Sequence, residues 1–214
     1  MTATTDGRRL RGDASRQAVL ARATQLASVE GLDGVTIGAL ATASGRGKSS
    51  IATLFGDKRR LQLATIDAAA EVFRATVVEP ARTHPHGALR VAALLRAVLD
   101  YSRGRVFTGG CFFAAVSADL DSKPGPVADA VRDWMRSWYG YVERQLRLAV
   151  DARELDEATD TRRLAFELLA LTDAANTRSL LLGGDDPYAI AASGIRERLL
   201  AAGADPAALA PLML

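Results

Sequence analysis

The sequence predicts an all-α chain built as two unequal domains, on three observations. All seven prolines fall outside residues 1–79 and 127–186, which leaves two long blocks with nothing to interrupt a helix. Apolar residues within those blocks recur at the three- and four-residue spacing of one helical face. No stretch of convincing length alternates with the period of two expected of a half-buried strand. At about 150 residues per domain, 214 residues make one large or two small domains.

In the first block Val19, Ala23, Leu26 and Ala27 share a face, with Asp13 as a plausible N-cap and Gly31 as the stop. A short helix follows from Thr36, whose hydroxyl can cap it, with Ile37, Leu40 and Ala41 inward, and Ser44-Gly45 breaks it. A second short helix is predicted from about Gly47 to Phe55, with Ile51, Leu54 and Phe55 as its apolar contacts. Gly56-Asp57 ends that helix and caps a fourth, which carries Leu61, Ala64, Ala68 and Val72 and should stop near Pro80. Further helices are predicted at about 88–103, 111–120, 125–153, 160–182 and 187–202, each bounded by Gly, Pro or Asp. No internal repeat or low-complexity tract is visible.

The formal net charge of +2 conceals an asymmetry. Residues 1–60 hold ten Lys or Arg against five acids, a local +5, so the remainder carries −3. A basic end on a mildly acidic body fits contact with a polyanion, although a solvated charged surface has the same signature. Two short helices joined by a tight turn inside that basic end match a helix-turn-helix, in which one helix crosses the DNA backbone and the next enters the major groove. An ordinary αα-hairpin has the same spacing, and three details favour DNA. Arg46, Lys48, Ser49, Ser50 and Thr53 give the second helix short polar and cationic side chains suited to base edges and phosphates. Lys58, Arg59 and Arg60 sit in the first turn of the next helix, where each cation opposes the macrodipole by about 0.3–1 kcal/mol and a bound phosphate would reverse the sign. Arg8, Arg9 and Arg11 precede the first helix as a basic arm able to follow a minor groove.

The stretch from Arg16 to Ala69 resembles, without a gap, the DNA-binding domain of the tetracycline-repressor (TetR/AcrR) family. The family pattern of a capping Thr, an Ile-x-x-Leu-Ala helix, a Gly turn, a recognition helix and a Phe-x-x-Lys step into the fourth helix is met by Thr36, Ile37, Leu40, Ala41, Gly45, Phe55 and Lys58. The segment GGCFFAAVSADLDSKPGPV is similar to the family's ligand-binding half. The resemblance implies a three-helix DNA-binding domain at 1–60 and a helical effector-binding and dimerisation domain at 61–214. It further implies a homodimeric, ligand-responsive regulator, expected to be a repressor, that binds a palindromic operator and is released by a small hydrophobic effector. Two positions depart from the pattern. Ala52 stands where the family usually has a phosphate-contacting Tyr, and Leu54 where it usually has His. Arg46 in the turn is a candidate to supply the missing contact, and Gly47 replaces the usual Ser cap. The DNA-contacting set is therefore expected to be Thr36, Arg46, Lys48, Ser49, Ser50, Thr53 and Lys58.

In the larger domain Trp134, Trp138 and Tyr141 fall on one face of a long helix, and Tyr101, Phe107, Phe112, Phe113 and Phe166 come from its neighbours. Aromatics in this pattern build a packed core, and the resemblance implies that some of them line an effector cavity. Asp173 and Asn176, one turn apart, either orient such a ligand or are satisfied at a helix contact. Cys111 beside Phe112 and Phe113 reads as a buried, inert thiol, with a redox or electrophile sensor as the alternative. The expected effector-binding set is Tyr101, Phe107, Cys111, Phe112, Trp134, Trp138, Tyr141, Phe166, Asp173 and Asn176. Leu164, Leu168, Leu171 and Leu180–Leu182, then Ile190, Ile195 and Leu199, leave an apolar excess suited to a four-helix bundle across a two-fold axis.

Several classes are set aside. The N-terminus has no apolar core of the kind an export signal needs, and the longest uncharged run, Val106 to Ala118, has thirteen residues against the roughly 20 of a membrane span, so the expected location is cytoplasmic. One cysteine and two histidines make neither an intramolecular disulfide nor a convincing zinc site, and no metal or cofactor is expected. Gly45-Arg-Gly-Lys-Ser49 is not a phosphate loop, because Thr42 stands where its first glycine belongs and no strand precedes it. Arg11-Gly12-Asp13 is a tripeptide that recurs by chance, and no catalytic triad, nucleophile elbow or carboxylate pair marks an enzyme. His84 and His86 are expected as solvated loop residues, and the excess of arginine over lysine points to a high-GC genome.

Overall fold

The computed structural model describes residues 3–213, with side chains from residue 12 onward. Among these residues ten α-helices make the fold and no strand forms; Phe107 and Gly110 make an isolated bridge. None of the described helices is long and apolar enough to cross a membrane. The chain forms two compact units, Met1–Glu71 with Phe107–Arg132, and Val72–Val106 with Asp133–Leu214.

The first unit opens with α1, Ala3–Gly34, which breaks at Gly31. Its start lies well ahead of the expected cap, so Asp13 is an exposed interior residue of the helix. A solvent-facing Asp is only weakly unfavourable there, which is why a single cap-type residue is a poor boundary signal. The expected arm is likewise corrected: the backbone at Arg8, Arg9 and Arg11 belongs to α1, and those side chains lie outside the described residues. Val19, Ala23 and Ala27 bury the inner face, while Leu26 is half-buried. Two short helices follow, α2 (Ile37–Ser44) and α3 (Lys48–Phe55), then α4 (Lys58–Phe73), capped by Asp57 Oδ1, which accepts from the Arg60 amide at 2.8 Å. Gln62 Nε2 donates to the Leu32 carbonyl at 2.6 Å, tying α4 to the end of α1.

The helical path ends at Arg82, close to the stop expected near Pro80, but it is not one continuous α-helix. It widens into a π turn at Arg74–Val78 and continues as α5, Glu79–Arg82. Proline cannot donate to the carbonyl four residues back and its ring crowds that oxygen, and opening the preceding turn by one residue accommodates both effects. The remaining helices are α6 (Ala88–Arg103), α7 (Phe112–Leu120), α8 (Pro126–Asp151), α9 (Thr161–Leu182) and α10 (Asp186–Ala201), with a 3₁₀ segment at Pro206–Leu212. Two carboxylates define starts in the second unit: Asp160 Oδ1 accepts from the Arg163 amide at 3.0 Å, and Glu154 Oε2 from the Ala88 amide at 2.6 Å. Leu94, Leu95, Leu99, Leu146, Leu168, Ile195 and Leu199 fill the core of this unit.

Candidate functional site

The α2–turn–α3 segment has the local chemistry of a helix-turn-helix. Thr36 is the N-cap of α2, in extended backbone, and its Oγ1 accepts from the Ala39 amide at 3.0 Å, leaving its own O–H free to donate. Gly45 ends the helix in the left-handed region (φ 64°, ψ 23°), a conformation that costs glycine little, and the Arg46 amide donates back to the Ala41 carbonyl at 3.1 Å. Gly47 begins α3 without a side-chain cap. Burial of Ile51 and Phe55 then turns Lys48, Ser49, Ser50 and Thr53 outward, and all four are exposed. Thr53 Oγ1 donates to the Ser49 carbonyl at 2.8 Å, which orients its methyl and hydroxyl along the helix. Among the described residues neither the side chain of Arg46, half-buried in the turn, nor that of Lys48 has a hydrogen-bonding or ionic partner, so both charges remain available.

Lys58 is less free. Its Nζ donates to the Asp33 carbonyl at 3.1 Å and lies 3.7 Å from the Asp33 carboxylate. Lys123 is 3.0 Å from that carboxylate and holds the Asp33 carboxyl below the usual range. One contact was not legible in the sequence: Arg16 Nη1 donates to the Leu54 carbonyl at 2.8 Å while its guanidinium sits 4.5 Å from the centre of the Phe55 ring. A cation–π contact and a bond to the last turn of α3 fix that helix against α1. Leu54, expected as an apolar contact, thus contributes through its backbone.

The residues expected to bind an effector fall into separate groups. Phe107 and Phe112 are buried in the first unit with ring centres 5.7 Å apart, and half-buried Cys111 starts α7 beside them. In the second unit Phe73 makes edge contacts with Tyr101 at 5.3 Å, Trp134 at 5.1 Å and Trp138 at 4.8 Å. Trp134, Trp138 and Tyr141 stack in sequence along α8, at 6.3 and 6.1 Å. Asn176 is buried at the α6–α9 contact, where its Oδ1 accepts from Ser102 Oγ at 2.6 Å. Tyr188 hydroxyl lies 3.1 Å from Ser102 Oγ, and Arg105 donates to Tyr188 at 3.2 Å and to Ser179 at 2.8 Å. Phe166 belongs to none of these: it is 70% exposed on the outer face of α9.

Asp173 lies on that same outer face, and desolvation pushes its carboxyl up to about 6. A raised carboxyl leaves stability intact below its unfolded value near 4, loses it as pH rises towards 6, and bears the full penalty above. Asp173→Asn is therefore expected to leave the melting temperature unchanged near pH 3.5 and to raise it above wild type at pH 7. A small rise is expected, because the residue retains solvent contact. Parallel melts across that range test it, and a difference independent of pH would contradict the desolvation.

A family model described as tetracyclin repressor-like, C-terminal domain, matches residues 87–195. The chain belongs to the tetracycline-repressor family. Solved structures of TetR-family proteins share its fold. A regulator from Chloroflexus aurantiacus superposes with a TM-score of 0.78 at 24% identity, over 86% of this chain and 93% of its own. A regulator from Streptomyces coelicolor gives 0.75 at 23% identity, over 95% and 96%. AibR, solved in complex with isovaleryl coenzyme A and operator DNA, gives 0.62 at 16% identity, over 76% and 85%. No curated protein sequence matches the chain. In this TetR-family chain the feature least legible in the sequence lies at the α5–α6 loop. His86 is exposed, as expected of a solvated loop residue, yet it also has Gln145 Oε1 3.2 Å from its Nδ1 and Arg90 Nη1 3.0 and 3.2 Å from its two ring nitrogens.

Proposed function

We propose that the chain is a ligand-responsive transcriptional repressor that binds a palindromic operator as a homodimer and is released by a small effector with an apolar body. Residues 1–60 carry DNA binding in this reading, and residues 61–214 carry effector binding and dimerisation. The observation that carries it is the capped α2–turn–α3 unit, whose outward side chains, Lys48, Ser49, Ser50 and Thr53, are polar and exposed, with Arg46 uncommitted in the turn. Ser, Thr, Lys and Arg at the start of a recognition helix can reach phosphates and base edges together. A family likeness to AibR, solved with both isovaleryl coenzyme A and operator DNA, supports coupling of the two kinds of ligand. The apolar outer face of α9 and α10 supports dimerisation.

The test is binding to DNA from the protein's own upstream region against random DNA, across a salt series. A regulator should keep a preference of roughly 10³ or more, whereas an architectural binder should show almost none. Arg46→Ala is expected to weaken binding to both DNAs and to reduce the salt slope by about one phosphate's worth. An unchanged slope would mean that Arg46 does not replace the phosphate contact absent at Ala52.

A further inference from the structure

Arg82, His86, Arg90, Tyr141, Arg144 and Gln145 line a cleft of about 390 Å³ in the second unit. Its volume lies within the range of small-molecule sites, and three of the six lining residues are arginines while none is acidic. Their existing partners leave the positive charge largely uncompensated. Arg82 Nη1 lies 3.2 Å from Glu79 Oε1, an oxygen that Arg74 Nη1 also approaches at 2.6 Å. Arg90 donates to the His84 carbonyl from Nε at 2.8 Å and from Nη2 at 2.5 Å, contacts that fix the side chain without neutralising it. Arg144 is exposed and has no hydrogen-bonding or ionic partner among the described residues.

A second cleft, of about 340 Å³, shows the alternative arrangement. Its Arg163 and Arg198 lie 2.9 and 2.6 Å from Glu167, whose carboxyl they hold below the usual range. Three guanidiniums on one cleft, with no acidic residue in its lining, make a local positive field that attracts an anion. The arginine cleft also has an apolar continuation. Tyr141 ends the stacked column of Trp134 and Trp138, and Arg144 and Gln145 lie one turn further along the same face of α8. The His86 ring lies between buried Gln145, whose Oε1 is 3.2 Å from Nδ1, and Arg90, whose Nη1 is 3.0 Å from Nδ1 and 3.2 Å from Nε2, and so braces the cationic wall.

The geometry points to an effector that is an organic anion, its carboxylate or phosphate held by Arg82, Arg90 and Arg144 and its apolar body against Tyr141. This assignment rests on the reading of the chain as a ligand-responsive regulator and names the chemistry of its ligand. Guanidiniums grip either oxyanion through paired N–H donors, and a charge-assisted contact discriminates against a neutral analogue of equal shape.

Trp138 stacks on Tyr141 of the cleft, so tryptophan fluorescence reports binding through that contact. The probes are 4-phenylbutyrate, phenyl phosphate, inorganic phosphate and the neutral 4-phenylbutyramide, titrated into the full-length protein and into Arg144→Gln and Arg144→Lys. At least one of the two phenyl-bearing anions is expected to bind tenfold or more tightly than the amide. Arg144→Gln should remove most of that advantage and Arg144→Lys should retain part of it. Preference for the carboxylate or for phenyl phosphate identifies the head group, and weaker binding of inorganic phosphate establishes the role of the apolar body. The inference is overturned if the amide binds as tightly as the anions, if no anion binds, or if Arg144→Gln leaves every affinity unchanged. It is equally overturned if Arg144→Gln weakens operator binding without ligand, which would make the cleft a DNA-phosphate contact. Operator preference of the wild-type protein, measured separately, decides the regulator reading whichever way the titrations fall.

Discussion

Gly109→Ala is expected to destabilise the protein by about 3 kcal/mol, the upper end of the usual cost of overpacking, and to lower its melting temperature by roughly 6–12 °C. The loop before α7 docks on α1 through its backbone. Thr108 donates to Gln25 Oε1 from both its amide and its hydroxyl at 2.8 Å, and the Gly109 amide donates to Ser28 Oγ at 3.0 Å. A β-carbon at position 109 would lie 1.8 Å from the Ser28 carbonyl oxygen and 2.4 Å from its carbon. Those are backbone atoms of a helix, so no rotamer change relieves the overlap. Either the loop lifts and forfeits its three bonds or α1 bends. Gly140 supplies the control: it lies within α8, where a β-carbon would have nothing within 4 Å, and Gly140→Ala should stabilise by roughly 0.5–1 kcal/mol. Thermal and denaturant melts of the two variants should move in opposite directions. A wild-type melting temperature for Gly109→Ala would mean that the loop does not dock on Ser28.

The helices were legible where punctuation and periodicity agreed. Gly45, Gly56, Gly104, Pro126, Asp160 and Gly183 bracket elements whose observed ends fall within about two residues of those expected, because each residue acts through its own backbone or as a local cap. Asp13 misled as a cap, and Pro80 marked the region of the stop at Arg82 without reporting the π turn before it. An Asp tolerates a solvent-facing helix interior, and a proline can be absorbed by a π turn, and neither outcome is encoded at the residue itself. The recognition helix was legible down to its exposed residues, since Ile51 and Phe55 define its inner face. The grouping of the residues expected to bind an effector was not. Phe166 has the same hydrophobicity as Phe112, yet one is exposed and the other fully buried, a difference set by which neighbour each helix meets. The arginine cleft joins residues 82–90 to residues 141–145, and no spacing in the sequence reports a contact across that separation.

In the homodimer proposed for this chain, Leu181→Glu is expected to give a folded monomer and to weaken binding to a palindromic operator by about 100-fold or more, while binding to a single half-site changes little. Leu181 is 78% exposed, Leu182 81%, and Ile190 on α10 is 70%, matching Phe166 on α9. Phe166, Ala170, Asp173, Thr177 and Leu181 follow one another at three- and four-residue intervals, so they form a stripe along α9, and every one of them is exposed. Phe166, Ala170 and Leu181 give this stripe an apolar character that Asp173 and Thr177 interrupt, and in a two-fold dimer each copy would bury the apolar part against the same stripe of its partner. A glutamate there has solvent in the monomer and none in the interface, so the cost falls on association and leaves the fold intact. Operator loss follows because two recognition helices gain affinity by being linked, and a monomer offers only one. Light scattering gives the mass, circular dichroism the retained helix content, and DNA titration the loss of linkage. A variant that stays dimeric would show that the exposed stripe of α9 is not the surface through which the two copies meet.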